Sequence, residues 1–310
     1  MKTLEKNGKM FSFKKFTPLY IMMVPGILYF FINNYLPMFG TMIAFKEINF
    51  SMGFIKSPWV GFKNFRYLFG SNNALIITRN TILYNLAFII FNLICAVTLA
   101  LLLNEVKNIR FKKFFQTIVL VPYLISMVIV GYLGYAFLSG DAGIINKSIF
   151  PYFGIEPVNW YSELKYWPFI LIFINVWKNA GYFCIIYYAA LLGLDPNIYE
   201  AATIDGANKT QQTFGITIPL IKPIIITMVI LQIGKMFYSD FGLFYQVPMN
   251  SGVLLPVTNV IDTYVYRGLM QMGDVGMSSA AGFYQSIVGF FLVLLSNLYI
   301  RKISPENSIF

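Results

Sequence analysis

The chain has no histidine, two cysteines and few charged residues among its 310 residues. Without histidine it lacks the commonest metal ligand and the commonest general base. Cys95 and Cys184 both fall in apolar stretches, where cysteine acts as a small packing residue, so neither a disulfide nor a metal site is predicted. Charged residues make up 12% of the chain, against about 25% in soluble domains, which indicates a membrane protein.

Motifs for nucleotide and hydrolytic chemistry are also missing. The sequence contains no G-x-x-x-x-G-K-[ST] phosphate loop, no G-x-S-x-G nucleophile elbow and no H-E-x-x-H zinc site. No acidic residue falls inside a predicted span, whereas proton-coupled carriers usually keep an ionisable group there. These absences argue against an ATPase, an intramembrane hydrolase and a secondary transporter. We therefore predict no catalytic residue, no metal and no cofactor in this chain.

Long apolar runs dominate what is present. Six of them reach the ~20 residues that cross a bilayer as a helix, and four carry no charged residue at all. Because these runs are apolar on all faces, they indicate helices rather than the alternating strands of a barrel. The spans are placed at about residues 16–45, 80–104, 114–140, 166–193, 218–238 and 275–300. The predicted fold class is an all-α membrane protein with six transmembrane helices, a membrane domain over 16–302, a basic N-terminus over 1–15 and a tail over 303–310.

The basic residues predict the orientation. With six spans, both termini share one side of the membrane, and that side holds thirteen of the 23 lysines and arginines against eight on the other. By the positive-inside rule, both termini are predicted to be cytoplasmic in a multi-pass protein of a prokaryotic plasma membrane. The net charge of +10 is accounted for by basic loops facing anionic membrane lipid, so no nucleic-acid partner is predicted.

One polar segment stands out on the predicted cytoplasmic side. Residues 195–223 read DPNIYEAATIDGANKTQQTFGITIPLIKP. Asp195 and Pro196 suit the cap and first position of a helix over 197–204, and Gly206 suits a turn. The Glu-Ala-Ala triplet is followed after three residues by Gly, after nine more by Ile, and then by Ile-Pro. The positions are Glu200, Ala201, Ala202, Asp205, Gly206, Ala207, Ile216 and Pro219.

This spacing resembles the cytoplasmic loop of binding-protein-dependent ABC importer permeases, with Ile218 where the family usually has Leu. The resemblance extends over about residues 18–302. Further segments resemble the branch that imports oligosaccharides released from polysaccharides. They are Pro58–Phe62 (PWVGF), Tyr187–Ala207 (YYAALLGLDPNIYEAATIDGA) and Val260–Arg267 (VIDTYVYR), whereas Leu101–Glu105 (LLLNE) resembles the second-to-third helix region of sugar importer permeases.

The resemblance implies the type I importer fold, with residues 195–217 forming a coupling helix that docks on a separate ATPase. It implies a second permease subunit, expected to be a different chain, and a cytoplasmic ABC ATPase dimer that holds the ATP and magnesium. It also implies an extracellular solute-binding lipoprotein and a carbohydrate substrate, with import by alternating access. The simpler reading of the coupling loop is an interfacial connector that touches only lipid headgroups.

Candidate substrate contacts are polar or aromatic side chains within the spans. One face of the fourth span carries four of them at helical spacing, and the fifth and sixth spans carry the rest. They are Asn175, Lys178, Asn179, Tyr182, Gln232, Lys235, Tyr238, Tyr284 and Gln285. Lys178 either lines the path or contacts outer loops, or it snorkels or pairs with a carbonyl. Asn85 and Asn92 favour contacts between helices over a binding site.

Three functions remain open from the sequence. The first is an oligosaccharide permease, with a permease for another small solute such as an amino acid or polyamine as its variant. The second is a membrane scaffold without transport activity, and the third is an enzyme acting on lipid-linked sugars. A scaffold has no use for the spaced coupling motif, and an enzyme of that kind is expected to show clustered carboxylates or metal ligands.

Overall fold

A computed structural model describes residues 13–303 of the chain. Within that range every regular element is a helix, apart from a single antiparallel bridge between Lys46 and Trp59. The predicted all-α fold is confirmed. Residues 1–12 and 304–310, which make up most of the predicted N-terminal segment and tail, lie outside the described range.

The longer helices form the body of the protein. They are α1 (Phe13–Phe30), α2 (Asn72–Glu105), α3 (Ile109–Leu124), α4 (Met127–Leu138), α5 (Trp167–Leu192), α6 (Pro196–Ile204), α7 (Ile218–Gly234), α8 (Ile261–Met270) and α9 (Val275–Ile303). Short α-helices lie at Leu36–Met38, Gly53–Lys56, Lys63–Phe69, Phe150–Tyr152, Lys209–Gln212, Phe241–Gln246 and Leu255–Thr258. Short 3₁₀-helical segments lie at Phe39–Phe45, Leu164–Tyr166 and Gly252–Leu254, and π turns at Phe31–Tyr35, Ile145–Ile149 and Thr213–Thr217.

Five helical stretches among the described residues are long and apolar enough to cross a membrane, and a bent pair supplies a sixth. The five are Phe16–Phe45, Asn72–Glu105, Leu164–Leu192, Lys209–Gly234 and Val275–Leu298, and the pair is α3 with α4. All six predicted spans therefore correspond to helical segments. The second and fifth begin eight or nine residues earlier than predicted, because polar residues at the ends of a helix are tolerated outside the apolar layer.

The third span is not the single helix that was predicted over 114–140. Helices α3 and α4 meet at an angle of 94° across Ile125 and Ser126. Pro122 lies in the last turn of α3, and Ser126 caps α4 by accepting a hydrogen bond from the Ile129 amide at 3.4 Å. Both residues of the break have extended backbone. A run of uncharged residues predicts that a segment enters the membrane, but does not reveal where its helix breaks.

Helix α2 contributes residues to three hydrophobic clusters of the described chain. Near the middle of α2, Tyr84 and Phe88 belong to a cluster with α4 and α5. Nearer its C-terminal end, Ala96 and Ala100 belong to a cluster with α5 and α7. Its first turns join a third cluster with α8 and α9 through Ile77. Asn92 also donates to Asn175 Oδ1 on α5 at 2.8 Å. The expectation that Asn92 joins helices is confirmed. Asn85 does not join two helices, because it donates to the Thr81 carbonyl of its own helix at 2.9 Å and to Ser239 Oγ, in the non-helical segment after α7, at 3.2 Å.

The first span differs from the others in packing. None of its most apolar 18 residues is buried within the chain, and side chains from Phe16 to Met42 are exposed throughout. Asn33 satisfies its amide on its own helix, donating to the Tyr29 carbonyl at 2.9 Å. As far as Met42 this span therefore gains little stability from contacts with the rest of the described chain, whereas its end at Ala44 and Phe45 is packed, with the Phe45 ring against Phe283 of α9.

The segment between α7 and α9, residues 235–274, is a folded cap rather than an irregular loop. Three short helices in it pack on α2, α4 and α9. Arg267 is 7% exposed and donates to Asn250 Oδ1 at 3.1 Å and also to Asn259 Oδ1. These contacts hold the turn at Met249 and Asn250, whose φ angles are 52° and 47°.

Candidate functional site

The polar segment forms a compact helix–turn–helix at one end of the bundle. Asp195 caps α6 by accepting from the Asn197 amide at 3.0 Å, and Pro196 occupies the first turn, as predicted. Gly206 has a φ of 84°, in the left-handed region that glycine adopts without strain. The Ala207 amide donates to the Ala202 carbonyl at 2.9 Å, and the Gly206 amide to the Thr203 carbonyl at 3.1 Å. This pair of bonds is a Schellman ending of the helix.

The motif residues are distributed over the surface of this unit. Glu200, Ala201 and Asp205 are exposed, whereas Ala202 and Ala207 are half-buried against the second half of the unit. Ile204 is 86% exposed, which leaves an apolar side chain at the tip of α6. Ile216 is half-buried in the π turn, and Pro219 is exposed in the first turn of α7. The segment therefore presents a mixed apolar and acidic face away from the bundle.

The predicted face of the fourth span is confirmed as one stripe of α5, but its members have different environments. Asn175 is buried and pairs with Asn92. Asn179 is half-buried and donates to the Asn175 carbonyl of its own helix at 2.9 Å. Tyr182 is 40% exposed. Within this stripe the Tyr182 ring is the one that remains most open to a ligand.

Lys178 is a buried cation held by the broken helix. It is 9% exposed, and its ammonium donates to the carbonyls of Pro122 at 3.3 Å, of Tyr123 at 3.0 Å and of Ile125. The last carbonyls of a helix carry partial negative charge and lack intrahelical donors, so an ammonium there is favourable. The carboxylate of Asp240 is also within electrostatic reach. Of the readings left open, the carbonyl partner is the one that the structure supports.

The remaining predicted contacts lie elsewhere. Gln232 is half-buried and donates to its own helix at Met228, 3.4 Å away. The prediction that Lys235 and Tyr238 continue a face of the fifth span is wrong, because α7 ends at Gly234 and both side chains are exposed beyond it. A turn at Lys235 and Met236 replaces the helix, with the Lys235 amide donating to Gln232 at 3.0 Å.

The two predicted residues of the sixth span are tied to the cap. Tyr284 contacts Thr78 Oγ1 through its hydroxyl at 3.2 Å and packs edge-on against Phe237. Gln285 is buried and donates to the Phe237 carbonyl at 2.8 Å and to Asp262 Oδ1 at 3.1 Å. Burial raises the pKa of the Asp262 carboxyl, although hydrogen bonds from Ser239 and Gln285 act in the opposite direction. Tyr284 and Gln285 both lie in the third turn of α9, not at its start.

Comparison with known proteins shows which family shares this architecture. Residues 92–305 match the family of binding-protein-dependent transport system inner membrane components. The polygalacturonan/rhamnogalacturonan transport system permease protein YteP of Bacillus subtilis (strain 168) is 38% identical over 93% of this chain and 89% of its own length. Protein LplB of the same organism is 35% identical over 93% of this chain and 90% of its own.

This chain belongs to that permease family. A crystal structure of a bacterial ABC transporter involved in the import of the acidic polysaccharide alginate contains a chain that is 32% identical, with a TM-score of 0.86 over 94% of this chain and 98% of that one. A crystal structure of a bacterial alginate ABC transporter in complex with an alginate pentasaccharide-bound periplasmic protein contains a chain with a TM-score of 0.85 at 32% identity, over 94% of this chain and 96% of that one. The permease therefore has the type I importer fold that the coupling motif implied.

Sequence reasoning missed several residues that the structure brings to the two sites. Tyr123 stacks on Tyr182 with ring centroids 4.7 Å apart and planes at 14°, and is itself 40% exposed. In the coupling segment, Tyr199, Gln212 and Thr217 make the contacts that fix its shape. In the sequence, Tyr123 is distinguished only by the proline before it within an apolar run. Its stacking partner on α5, Tyr182, is determined by the tertiary fold.

Proposed function

We propose that this permease is the membrane-spanning subunit of an ATP-driven importer that takes up an oligosaccharide. An extracellular binding protein delivers the sugar, and a separate ABC ATPase dimer that binds ATP and magnesium drives the transport by alternating access. The observation that carries the proposal is the coupling segment: a capped, exposed helix that bears the motif and is joined through the turn at Gly206 to a membrane span.

The substrate class follows from relatives and from the stacked tyrosines. YteP is a permease of a polygalacturonan/rhamnogalacturonan transport system, and the solved transporter is involved in the import of alginate, and all of these are carbohydrate polymers. Sugar rings pack well against aromatic faces with a polar rim, and Tyr123 with Tyr182 supplies an exposed pair of this kind. Asn179 lies one turn before Tyr182 on the same face and adds an amide that can bond to hydroxyl groups.

A second permease subunit is proposed to cover the first span. That span buries none of its apolar window within the chain, yet it carries the amides of Asn33 and Asn34. Amide side chains are unfavourable against lipid and are common in contacts between membrane helices. We take the partner to be a different chain, and the basic residues orient the coupling segment and both termini to the cytoplasm.

Deletion and point variants test the function. We expect that deleting this chain abolishes uptake of oligogalacturonides or alginate oligosaccharides by its host, and that the wild-type chain restores it. Glu200→Lys and Gly206→Pro should each remove uptake while the chain still inserts, since one reverses a charge on the docking face and the other forbids a positive φ. Uptake that is unchanged in both variants would rule out the coupling role.

Partners are tested by purification from the native membrane with a tag on Phe310. A second six-span permease and an ATPase with a phosphate loop are expected to purify with this chain. A chain that purifies alone, even after crosslinking through Glu200→Cys, would instead favour a membrane scaffold.

A further inference from the structure

We infer that Tyr199, Thr203, Gln212 and Thr217 form a latch that joins the coupling helix to the fifth span, so that force on one is passed to the other. The Tyr199 hydroxyl lies 3.0 Å from Thr217 Oγ1. Gln212 Nε2 donates to Thr203 Oγ1 at 3.0 Å and to the Ala207 carbonyl at 3.1 Å. This inference rests on the proposed function, because it assigns these side chains a role in ATP-driven import.

The polar atoms of the latch are bonded to one another, and two of its four residues are buried, while Tyr199 is half-buried and Thr203 is exposed. Gln212 and Thr217 are each only 5% exposed, although they belong to a polar segment at the end of the bundle. The Thr217 hydroxyl also donates to the Gln212 carbonyl at 3.3 Å, which leaves its oxygen to accept from Tyr199. Thr203 in turn donates to the Tyr199 carbonyl at 2.7 Å and accepts from Gln212. The hydrogen bonds thus form a continuous chain from α6 to the segment after it.

That second segment is mechanically continuous with the span. Lys209–Gln212, the π turn Thr213–Thr217 and α7 run without interruption as one helical stretch from Lys209 to Gly234. Asn208 and Gln211 cap its start with reciprocal bonds of 2.9 and 2.8 Å. Without the latch, α6 would be linked to this stretch by little more than the turn at Gly206.

The contacts of this unit with α2 are looser. Glu105 at the end of α2 and Lys209 pair at 3.7 Å, but both side chains are more than half exposed, and pairs of this kind contribute little. A cavity of about 590 Å³ separates the two sides, lined by residues such as Leu101, Phe214 and Thr217. The latch therefore ties the coupling helix to α7 and leaves it free to shift against α2.

A role in coupling makes a prediction that a role in folding alone does not. If the latch only stabilises the loop, its loss lowers uptake and ATP hydrolysis together through poorer assembly. If it transmits force, assembled complexes hydrolyse ATP and import fewer sugars for each ATP consumed. The decisive quantity is the ratio of sugar imported to ATP hydrolysed.

The experiment compares variants of the complete importer in proteoliposomes, with oligogalacturonides and alginate oligosaccharides as transport probes. Thr217→Val removes the hydroxyl at nearly constant volume, and Tyr199→Phe removes the other half of the pair. We expect each to lower the ratio about three- to tenfold, which corresponds to one hydrogen bond of ordinary strength. Thr217→Ser keeps the hydroxyl and should restore the ratio, and Tyr152→Phe, whose side chain is 86% exposed, is the matched control.

A second measurement combines the two changes. Thr217→Val already removes the bond that Tyr199→Phe breaks, together with the Thr217 bond to the Gln212 carbonyl, so the double variant should lower the ratio no further than Thr217→Val alone. An unchanged ratio in both single variants, or equal losses of uptake and hydrolysis, would overturn the inference. Failure of the proposed function is visible separately, because the wild-type complex would then show no ATP-dependent import of either probe.

Discussion

Gly181 on α5 lies directly against the carbonyl of Val119 on α3. A Cβ atom at this glycine would stand 1.7 Å from the Val119 oxygen and 2.5 Å from its carbonyl carbon. Both obstacles are backbone atoms, so the neighbouring helix has to move to admit a side chain. This contact sets how closely α3 approaches the stripe of α5 that holds Lys178 and Tyr182.

Gly181→Ala is expected to push α3 away from α5 and destabilise the permease by about 1–3 kcal/mol, the usual cost of overpacking. Thermal unfolding in detergent measures this. Gly282→Ala on α9 is the control, because a Cβ there meets nothing within 4 Å. Equal unfolding temperatures for the two variants would contradict the close approach.

Lys178→Met is expected to loosen the break between α3 and α4. It removes the ammonium that bonds to the carbonyls of Pro122, Tyr123 and Ile125, and a buried acceptor left without a donor costs about 1–3 kcal/mol. Uptake should fall together with thermal stability. Lys235→Met, an exposed lysine in the turn after α7, should alter neither. Full uptake by the Lys178 variant would show that the break holds without its cation.

Tyr182→Ala is expected to reduce uptake by removing one ring of the exposed stack with Tyr123, whereas Tyr182→Phe should retain most of it. Loss of one aromatic contact corresponds to about 0.5–1.5 kcal/mol, or roughly a two- to tenfold higher half-saturating sugar concentration. Phe173 lies nine residues earlier on α5, on the opposite face, and is 69% exposed. If Phe173→Ala weakens uptake as much as Tyr182→Ala does, the stack is not a sugar contact.

Asn92 and Asn175 are expected to be energetically coupled through their 2.8 Å bond. Bonds of this type between membrane helices contribute about 0.6 kcal/mol on average, with a maximum near 1.7. A double-mutant cycle with alanine at each position measures the coupling. The same cycle between Asn92 and Thr227, which bonds to its own helix at Pro223, should give a value near zero.

Gly206→Ala is expected to fray the C-terminal end of α6. The φ of 84° costs a residue with a Cβ about 1–2 kcal/mol, although a Cβ there would touch nothing. Amide hydrogen exchange in α6 should rise, whereas Gly215→Ala, at a helical position with open space around it, should leave exchange unchanged. Undiminished protection of α6 in the Gly206 variant would mean that the turn tolerates another conformation.

The sequence alone determined the class, the approximate positions of the apolar spans and the local structure of the polar segment after α5. Uncharged runs of more than 20 residues leave few alternatives to membrane helices, because backbone polar groups in lipid have to be satisfied within the segment. The cap at Asp195 and the turn at Gly206 are equally local, since each depends on the conformational preference of one residue. The cap and the turn were predicted at residue level, and the structure contains both.

Tertiary structure decided everything that depends on which helices meet. The 94° break after Leu124 is not evident from an uncharged run, and Lys178 acquires its role only because α5 passes beside that break. The sequence predicted that the fifth span continues to Tyr238, because apolar residues follow Gly234. Helix α7 nevertheless ends at Gly234, because the chain turns there and Phe237 packs into the cluster with α8 and α9. The stacking of Tyr123 on Tyr182 and the latch between Tyr199 and Thr217 join residues 59 and 18 positions apart. Spacing along one helix predicts a shared face, but only packing between helices determines what that face contacts.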